Sequence, residues 1–260
     1  GCSFIEVPTD DDGMIPDELE KILDTTPQVK IIYVIPDFQN PTGRTWSLER
    51  RKRLVETAAK RHVVVIEDNP YGELCFEGET LPSMKSFDQE GCVISMGSFS
   101  KIFCPGYRIG WVAGERQVTE KYALVKQGTD LQCNTLAQRE IAKYLELYDI
   151  DAHIEKIRDV YRKRRDLAVT VMTEEFPGEV TFTNPRGGLF AWVELPSEIN
   201  ARDVLVKCLE ENVAFVPGGS FFPNGGKENT LRINFSNMPE QKIITGIQCI
   251  GKVLHEFIKK

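Results

Sequence analysis

Three short apolar runs set the rhythm of the first half of the chain: Ile31-Ile32-Tyr33-Val34-Ile35-Pro36, Val63-Val64-Val65-Ile66-Glu67-Asp68 and Cys92-Val93-Ile94-Ser95-Met96-Gly97. Runs of about four to eight apolar, β-branched residues bounded by turn signals read as buried strands. Between the first two lies Asn40-Pro41-Thr42-Gly43, a turn-forming sequence. A helix follows from about Ser47 to Arg61, with Leu54, Val55, Ala58 and Ala59 on one face. A further strand is expected near 109–113, and helices near 115–127 and 132–147. Strands alternating with helices predict an α/β unit with a mostly parallel sheet. The opening Phe4-Ile5-Glu6-Val7-Pro8 also reads as a strand.

The pattern changes after residue 147. A long amphipathic helix from about Asp151 to Glu175 carries Ile154, Ile157, Tyr161, Ala168 and Val171 along one stripe and is expected to bridge two lobes. Strands near 179–183, 189–195, 213–216 and 230–235 follow, with helices near 201–211 and 240–258. The expected domains are therefore residues 1–147 and a smaller α+β domain, 148–260, that includes the bridging helix. No repeat or low-complexity tract interrupts them.

Composition narrows the function classes. With 260 residues and 41% apolar content, the chain can bury one or two cores. A net charge of −7 argues against nucleic acid or an anionic membrane as the main partner of this segment. The basic clusters Arg50-Arg51-Lys52-Arg53 and Arg162-Lys163-Arg164-Arg165 sit in helical stretches among acids and read as solvated faces. No apolar run approaches the roughly 20 residues of a bilayer span, and residues 1–6 lack the pattern of a signal peptide. Seven scattered cysteines without a Cys-x-x-Cys pair suggest reduced thiols and a cytoplasmic protein. Neither they nor His62, His153 and His255 have metal-ligand spacing, so no metal site is expected.

The most informative stretch is Ser98-Phe99-Ser100-Lys101-Ile102-Phe103-Cys104-Pro105-Gly106-Tyr107-Arg108-Ile109-Gly110-Trp111. Its lysine follows a buried strand, with hydroxyls three and one residues before it and an arginine seven residues after. An amine in a partly apolar site can form a Schiff base with a carbonyl. Hydroxyls and a guanidinium can hold a phosphate. The cofactor that needs both is pyridoxal 5′-phosphate. Cys104 reads as a small apolar filler. Upstream, Asn40, Asp68 and Tyr71 fall at or just past the carboxyl ends of predicted strands, where open α/β sheets bind ligands.

With these motifs in this order, the chain resembles the fold-type I, class I/II pyridoxal-phosphate aminotransferases. The resemblance rests on Asn40-Pro41-Thr42-Gly43, Asp68-x-x-Tyr71, Ser98-x-Ser100-Lys101 and Pro105-Gly106-x-Arg108-x-Gly110-Trp111. Within the family it is nearest the 2-aminoadipate, kynurenine and aromatic aminotransferases. The resemblance implies a three-layer, mostly parallel sheet for the large domain and transamination between an L-amino acid and a 2-oxo acid. It makes Lys101 the cofactor-bearing and proton-moving lysine, and Asp68 the partner of the pyridine nitrogen. It puts Asn40 and Tyr71 on the ring 3′-oxygen, and Ser98, Ser100 and Arg108 on the phosphate. Arg232, in the alternating stretch Thr230–Ser236, becomes the grip on the substrate α-carboxylate, with Asn40 beside the substrate. Arg186, in Asn184-Pro185-Arg186-Gly187-Gly188, is not expected to be a ligand.

The family's length also implies that an amino-terminal third is missing, so that residues 1–260 alone are expected to be inactive and the whole protein a homodimer. Three other readings stay open: a pyridoxal-phosphate C–S lyase, an aminotransferase-like effector-sensing module of a transcription regulator, and a catalytically dead fragment with only a folding or interaction role.

Overall fold

The computed structural model describes residues 1–258. In chain order the elements are β1 (Thr9–Asp10), β2 (Gly13–Met14), α1 (Pro16–Thr25), β3 (Ile31–Val34), α2 (Leu48–Arg61), β4 (Val64–Asp68), β5 (Val93–Ser98), β6 (Gly110–Ala113), α3 (Arg116–Thr129) and α4 (Thr135–Leu147). Then come α5 (Ile150–Glu175), β7 (Thr181–Phe182), β8 (Phe190–Glu194), α6 (Ala201–Glu210), β9 (Val216–Pro217), β10 (Thr230–Asn234) and α7 (Glu240–Ile258). The chain divides into two compact units. One comprises Val7–Asp37 and Thr45–Arg158, and the other Gly1–Glu6, Phe38–Arg44 and Asp159–Lys260. The division therefore falls inside α5, whereas the sequence pattern predicts it at 147/148. The first turns of α5 stay with the former unit because Arg158 Nε donates to the Glu73 carbonyl at 2.6 Å.

In the first of these units the sheet order is β3-β4-β5-β6. The first three strands are parallel and β6 is antiparallel to β5. This is the α/β architecture expected from the alternating pattern. One face of the sheet is dry: Ile32, Val34, Val65 and Val93 pack with Leu19 and Leu23 of α1 and with Leu54, Val55 and Ala58 of α2. The other face carries Ile31 and Tyr33, both more than half exposed. Helix α2 starts at Ser47, whose side chain accepts from the Arg50 amide, and it ends at His62 in a left-handed conformation. Strand β5 is anchored at its start by the buried carboxylate of Asp88. Burial alone would raise its pKa. Hydrogen bonds from Lys85 and from the amides of Val93 and Cys92 outweigh that and hold it at about 2.

The other unit has an antiparallel sheet, β7-β8-β10-β9, with β8 and β10 in register from Thr230↔Glu194 to Asn234↔Phe190. Helix α7 has Ile243, Ile247, Ile250, Leu254 and Phe257 at helical spacing; the first four are buried and Phe257, near the helix end, is partly exposed. Helix α6 contributes Ala201, Val204 and Cys208.

Two local expectations are corrected, and one element is added. Residues 4–8 form no strand: Phe4 and Ile5 are exposed, Pro8 has no amide to donate, and strand pairing begins at Thr9 with the β1–β2 hairpin. Val213–Phe215 lies outside the ladder because the Val213 amide closes the end of α6 on the Cys208 carbonyl, so pairing starts at Val216. Helix α1 is an addition to the expected elements. It is only 10 residues long and buries just Leu19 and Leu23, too few positions for a clear period, although Pro16 and the first-turn acids Asp17 and Glu18 signal its start.

Candidate active site

Parallel strands deliver their last residues to one end of the sheet. Here β4 ends on Asp68 and β5 on Ser98. Past β4 the Asn69 amide bonds the Met96 carbonyl of β5 at 2.9 Å, so the Asp68–Tyr71 turn stays tied to the neighbouring strand. The Asn69 side chain continues that tie. Its Oδ1 accepts from the Gly72 amide at 2.9 Å, and its Nδ2 donates to Asp37 at 2.8 Å. Tyr71 is buried in this turn.

Past β5 the chain makes a single helical turn, in which the Phe103 amide donates to the Phe99 carbonyl at 2.9 Å. Lys101 sits in the middle of it and is partly buried. Ser98 Oγ accepts the Ser100 amide at 3.0 Å. Arg108 Nη1 reaches Ser100 Oγ at 3.5 Å and the Pro105 carbonyl at 3.2 Å. Arg108 adopts φ 55°, ψ 39°, a left-handed conformation that costs a non-glycine residue about 1 kcal/mol. That turn brings its guanidinium back to Ser100. At Gly97 a Cβ would stand 2.2 Å from the Trp111 ring, so the indole lies directly on the β5 backbone and only glycine fits beneath it.

The donor set can be tested against the expected cofactor. A phosphate ester wants several convergent donors, and Ser98, Ser100 and Arg108 supply two hydroxyls and a guanidinium. A pyridinium nitrogen wants a carboxylate, and Asp68 supplies one on the adjacent strand end. An aldehyde wants an amine, and Lys101 is in the turn between. The residues fit pyridoxal phosphate.

Asp68 has a partner that the sequence does not disclose. Tyr33 pairs with Ile66 across β3 and β4, which puts its ring on the face of Asp68, two residues further on. The phenol donates to Asp68 Oδ2 at 2.6 Å. Burial, the hydrogen bond to Asp68 and that carboxylate's charge all raise the phenol's pKa well above its usual value.

In the other unit, Asn40 and Arg232 meet although 192 residues separate them. Arg232 Nη1 donates to Asn40 Oδ1 at 2.5 Å. An arginine cannot accept, so this bond fixes which end of the Asn40 amide faces it and leaves Nδ2 as a donor. The guanidinium carbon lies 4.2 Å from the Phe190 ring centroid and 5.1 Å from that of Phe221, a stacked geometry suited to holding a planar fork in place. Phe190 comes within reach because Trp192 stands opposite Arg232 in the ladder and Phe190 is the same-face diagonal neighbour. Gly43, at φ 70°, would drive a Cβ to 2.5 Å from the Phe190 carbonyl, so the Asn40 turn lies tight against the same strand. Arg186 is exposed. Among the described residues no group of His, Cys, Asp and Glu is placed to hold a metal ion.

Comparison with known proteins bears directly on this arrangement. The chain is 43% identical over 261 residues to aromatic-amino-acid aminotransferase 1 of Thermococcus litoralis, an alignment covering 99% of this chain and 63% of that protein. Among solved structures it is similar to a multiple substrate aminotransferase from Thermococcus profundus, with TM-score 0.95 and 41% identity over 98% of this chain and 64% of that one. It is also similar to the α-aminoadipate aminotransferase LysN of Thermus thermophilus, solved with N-(5′-phosphopyridoxyl)-L-leucine (TM-score 0.94, 37% identity, 99% of this chain and 66% of that one). The chain thus spans somewhat less than two thirds of the length of its curated relatives. The family model for aminotransferase class I and II matches residues 1–250, and the chain belongs to that family.

Proposed function

We propose that the protein carrying this chain is a pyridoxal-phosphate-dependent aminotransferase that moves an amino group between an L-amino acid and a 2-oxo acid. The observation that carries this reading is the cluster at the ends of β4 and β5: Asp68 on one strand end, Ser98, Ser100 and Lys101 at the end of the next and in the turn after it, and Arg108, further along the chain, reaching back to Ser100. When bound, the cofactor supplies an electron sink for the pair left as the substrate's Cα–H bond breaks.

The chain's own groups do the rest. Lys101 would hold the cofactor's aldehyde carbon through its amine, and the same amine would be the base that moves the proton at the substrate Cα. A base must stand within about 3 Å of the proton it moves, and a lysine just displaced from that position satisfies the requirement. Asp68 keeps the ring nitrogen protonated by pairing with it. Ser98, Ser100 and Arg108 hold the phosphate, and Asn40 and Tyr71 donate to the ring 3′-oxygen. Arg232, stacked on Phe190 and Phe221, takes the substrate α-carboxylate through a bidentate fork. A homodimer in the cytoplasm is part of the proposal. The seven cysteines, all free, suit a reducing compartment. Among the described residues no helix is long and apolar enough to cross a membrane.

Incubating the cofactor-loaded protein with a panel of L-amino acids and 2-oxoglutarate tests the reaction. Glutamate forming in step with donor loss is the expected result. Pyruvate and ammonia released without an acceptor would identify a lyase instead.

A further inference from the structure

Tyr33 is more than half exposed, yet its phenol is committed to one atom: Asp68 Oδ2, at 2.6 Å. The contact is built into the sheet. Side chains two apart on a strand share a face, and Tyr33 stands opposite Ile66, two residues before Asp68 on β4. The diagonal reach across the ladder is what a tyrosine spans. Its strand neighbours Ile32 and Val34 point the other way, into the core, with exposures of 6% and 2%. Phenylalanine would cover the same surface, and only the hydroxyl makes the bond.

We propose that Tyr33 is a positioning residue for Asp68, holding one carboxylate oxygen so that the other is presented to the ring nitrogen of the cofactor. This rests on the assignment of Asp68 above. A carboxylate has two acceptor oxygens and a freely turning Cβ–Cγ bond. A short bond from a phenol to Oδ2 sets that torsion and leaves Oδ1 pointing elsewhere. The donor is neutral, which matters as much as its direction. A lysine or arginine in its place would cancel the charge needed to keep the ring nitrogen protonated, whereas a phenol stabilises the ionised carboxylate without neutralising it. The raised pKa of Tyr33 keeps the phenol protonated, and so a donor, across the working pH range.

The test is a double-mutant cycle in the cofactor-loaded protein, Tyr33→Phe against Asp68→Ala, read by kcat, by KM and by the 15N shift of ring-labelled cofactor. Tyr33→Phe keeps the ring and its packing. It is expected to lower kcat about tenfold, the order expected for losing one hydrogen bond to a charged group, with KM changed less than about twofold. The protonated fraction of the ring nitrogen should fall with it. In the Asp68→Ala background the same substitution should have no further effect, because the phenol acts only through that carboxylate. An unchanged kcat and 15N shift in Tyr33→Phe, or equal losses in both backgrounds, would overturn the assignment of Tyr33 while leaving Asp68 in place. If Asp68→Ala itself leaves both readouts at wild-type values, the assignment of Asp68 fails, and this inference with it.

Discussion

Two aspartates stand at the carboxyl ends of neighbouring strands, and their surroundings differ in kind. Asp37, three residues past β3, is 2% exposed and takes two bonds from Arg51, at 3.1 and 2.5 Å, and one from Asn69 at 2.8 Å. Arg51 is itself fully buried and also donates to the carbonyls of Trp46, Pro36 and Pro82. Asp68, the last residue of β4, is half-buried and accepts from a neutral donor, the Tyr33 phenol. The first charge is cancelled and enclosed; the second is oriented and still available. Residue type and placement at a strand's carboxyl end are the same for both; what differs is the charge of the partner. The two are also linked, since Asn69 binds Asp37 and lies between Asp68 and Tyr71.

This contrast predicts opposite phenotypes. Asp68→Ala should lower turnover by roughly a thousandfold, about 4 kcal/mol of barrier, while the melting temperature stays within a few degrees of wild type. Steady-state assays at saturating cofactor, alongside thermal unfolding, decide it. Near wild-type turnover would remove Asp68 from the chemistry. Asp37→Ala leaves a buried guanidinium without its counter-charge and should cost about 3–5 kcal/mol of stability, measured by denaturant unfolding, with the activity of whatever remains folded reduced only modestly. A variant as stable as wild type would mean that the ion pair is not the lock the geometry suggests.

The third effect is smaller and lies in the other unit. Arg232→Lys keeps the charge but loses both the fork and the stacking on Phe190 and Phe221. The apparent KM for the amino acid should rise about 10- to 100-fold, roughly 1.5–3 kcal/mol, while cofactor affinity holds. Equal losses for an amine without a carboxylate would contradict the clamp.

Much of the proposed site is legible in the sequence because its residues follow the apolar runs at short offsets. Asp68 closes the Val63–Asp68 run, and Ser98, Ser100 and Lys101 follow the Cys92–Gly97 run, so finding the strands locates these positions at the strand ends. Tyr33 is not legible. It lies inside a run that reads as buried, and its role depends on the β3–β4 register, which no local pattern encodes. Phe190 and Phe221 are hidden for the same reason. Both look like ordinary apolar positions until the pairing of β8 with β10 and the turn at Gly218–Phe221 bring them to Arg232. The Arg51-to-Asp37 lock reads in the sequence as part of a solvated basic cluster, since a run of four basic residues does not reveal which one turns inward. Arg51 does: it is fully buried, while Lys52 is exposed.

Borohydride reduction of the cofactor-loaded protein, followed by peptide mapping, tests the central assignment most directly. The stable pyridoxyl adduct should map to Lys101, in the turn between Phe99 and Phe103, and Lys101→Ala should yield no adduct and no visible absorbance after dialysis. An adduct on any other lysine of the wild-type protein would contradict the site described at the ends of β4 and β5.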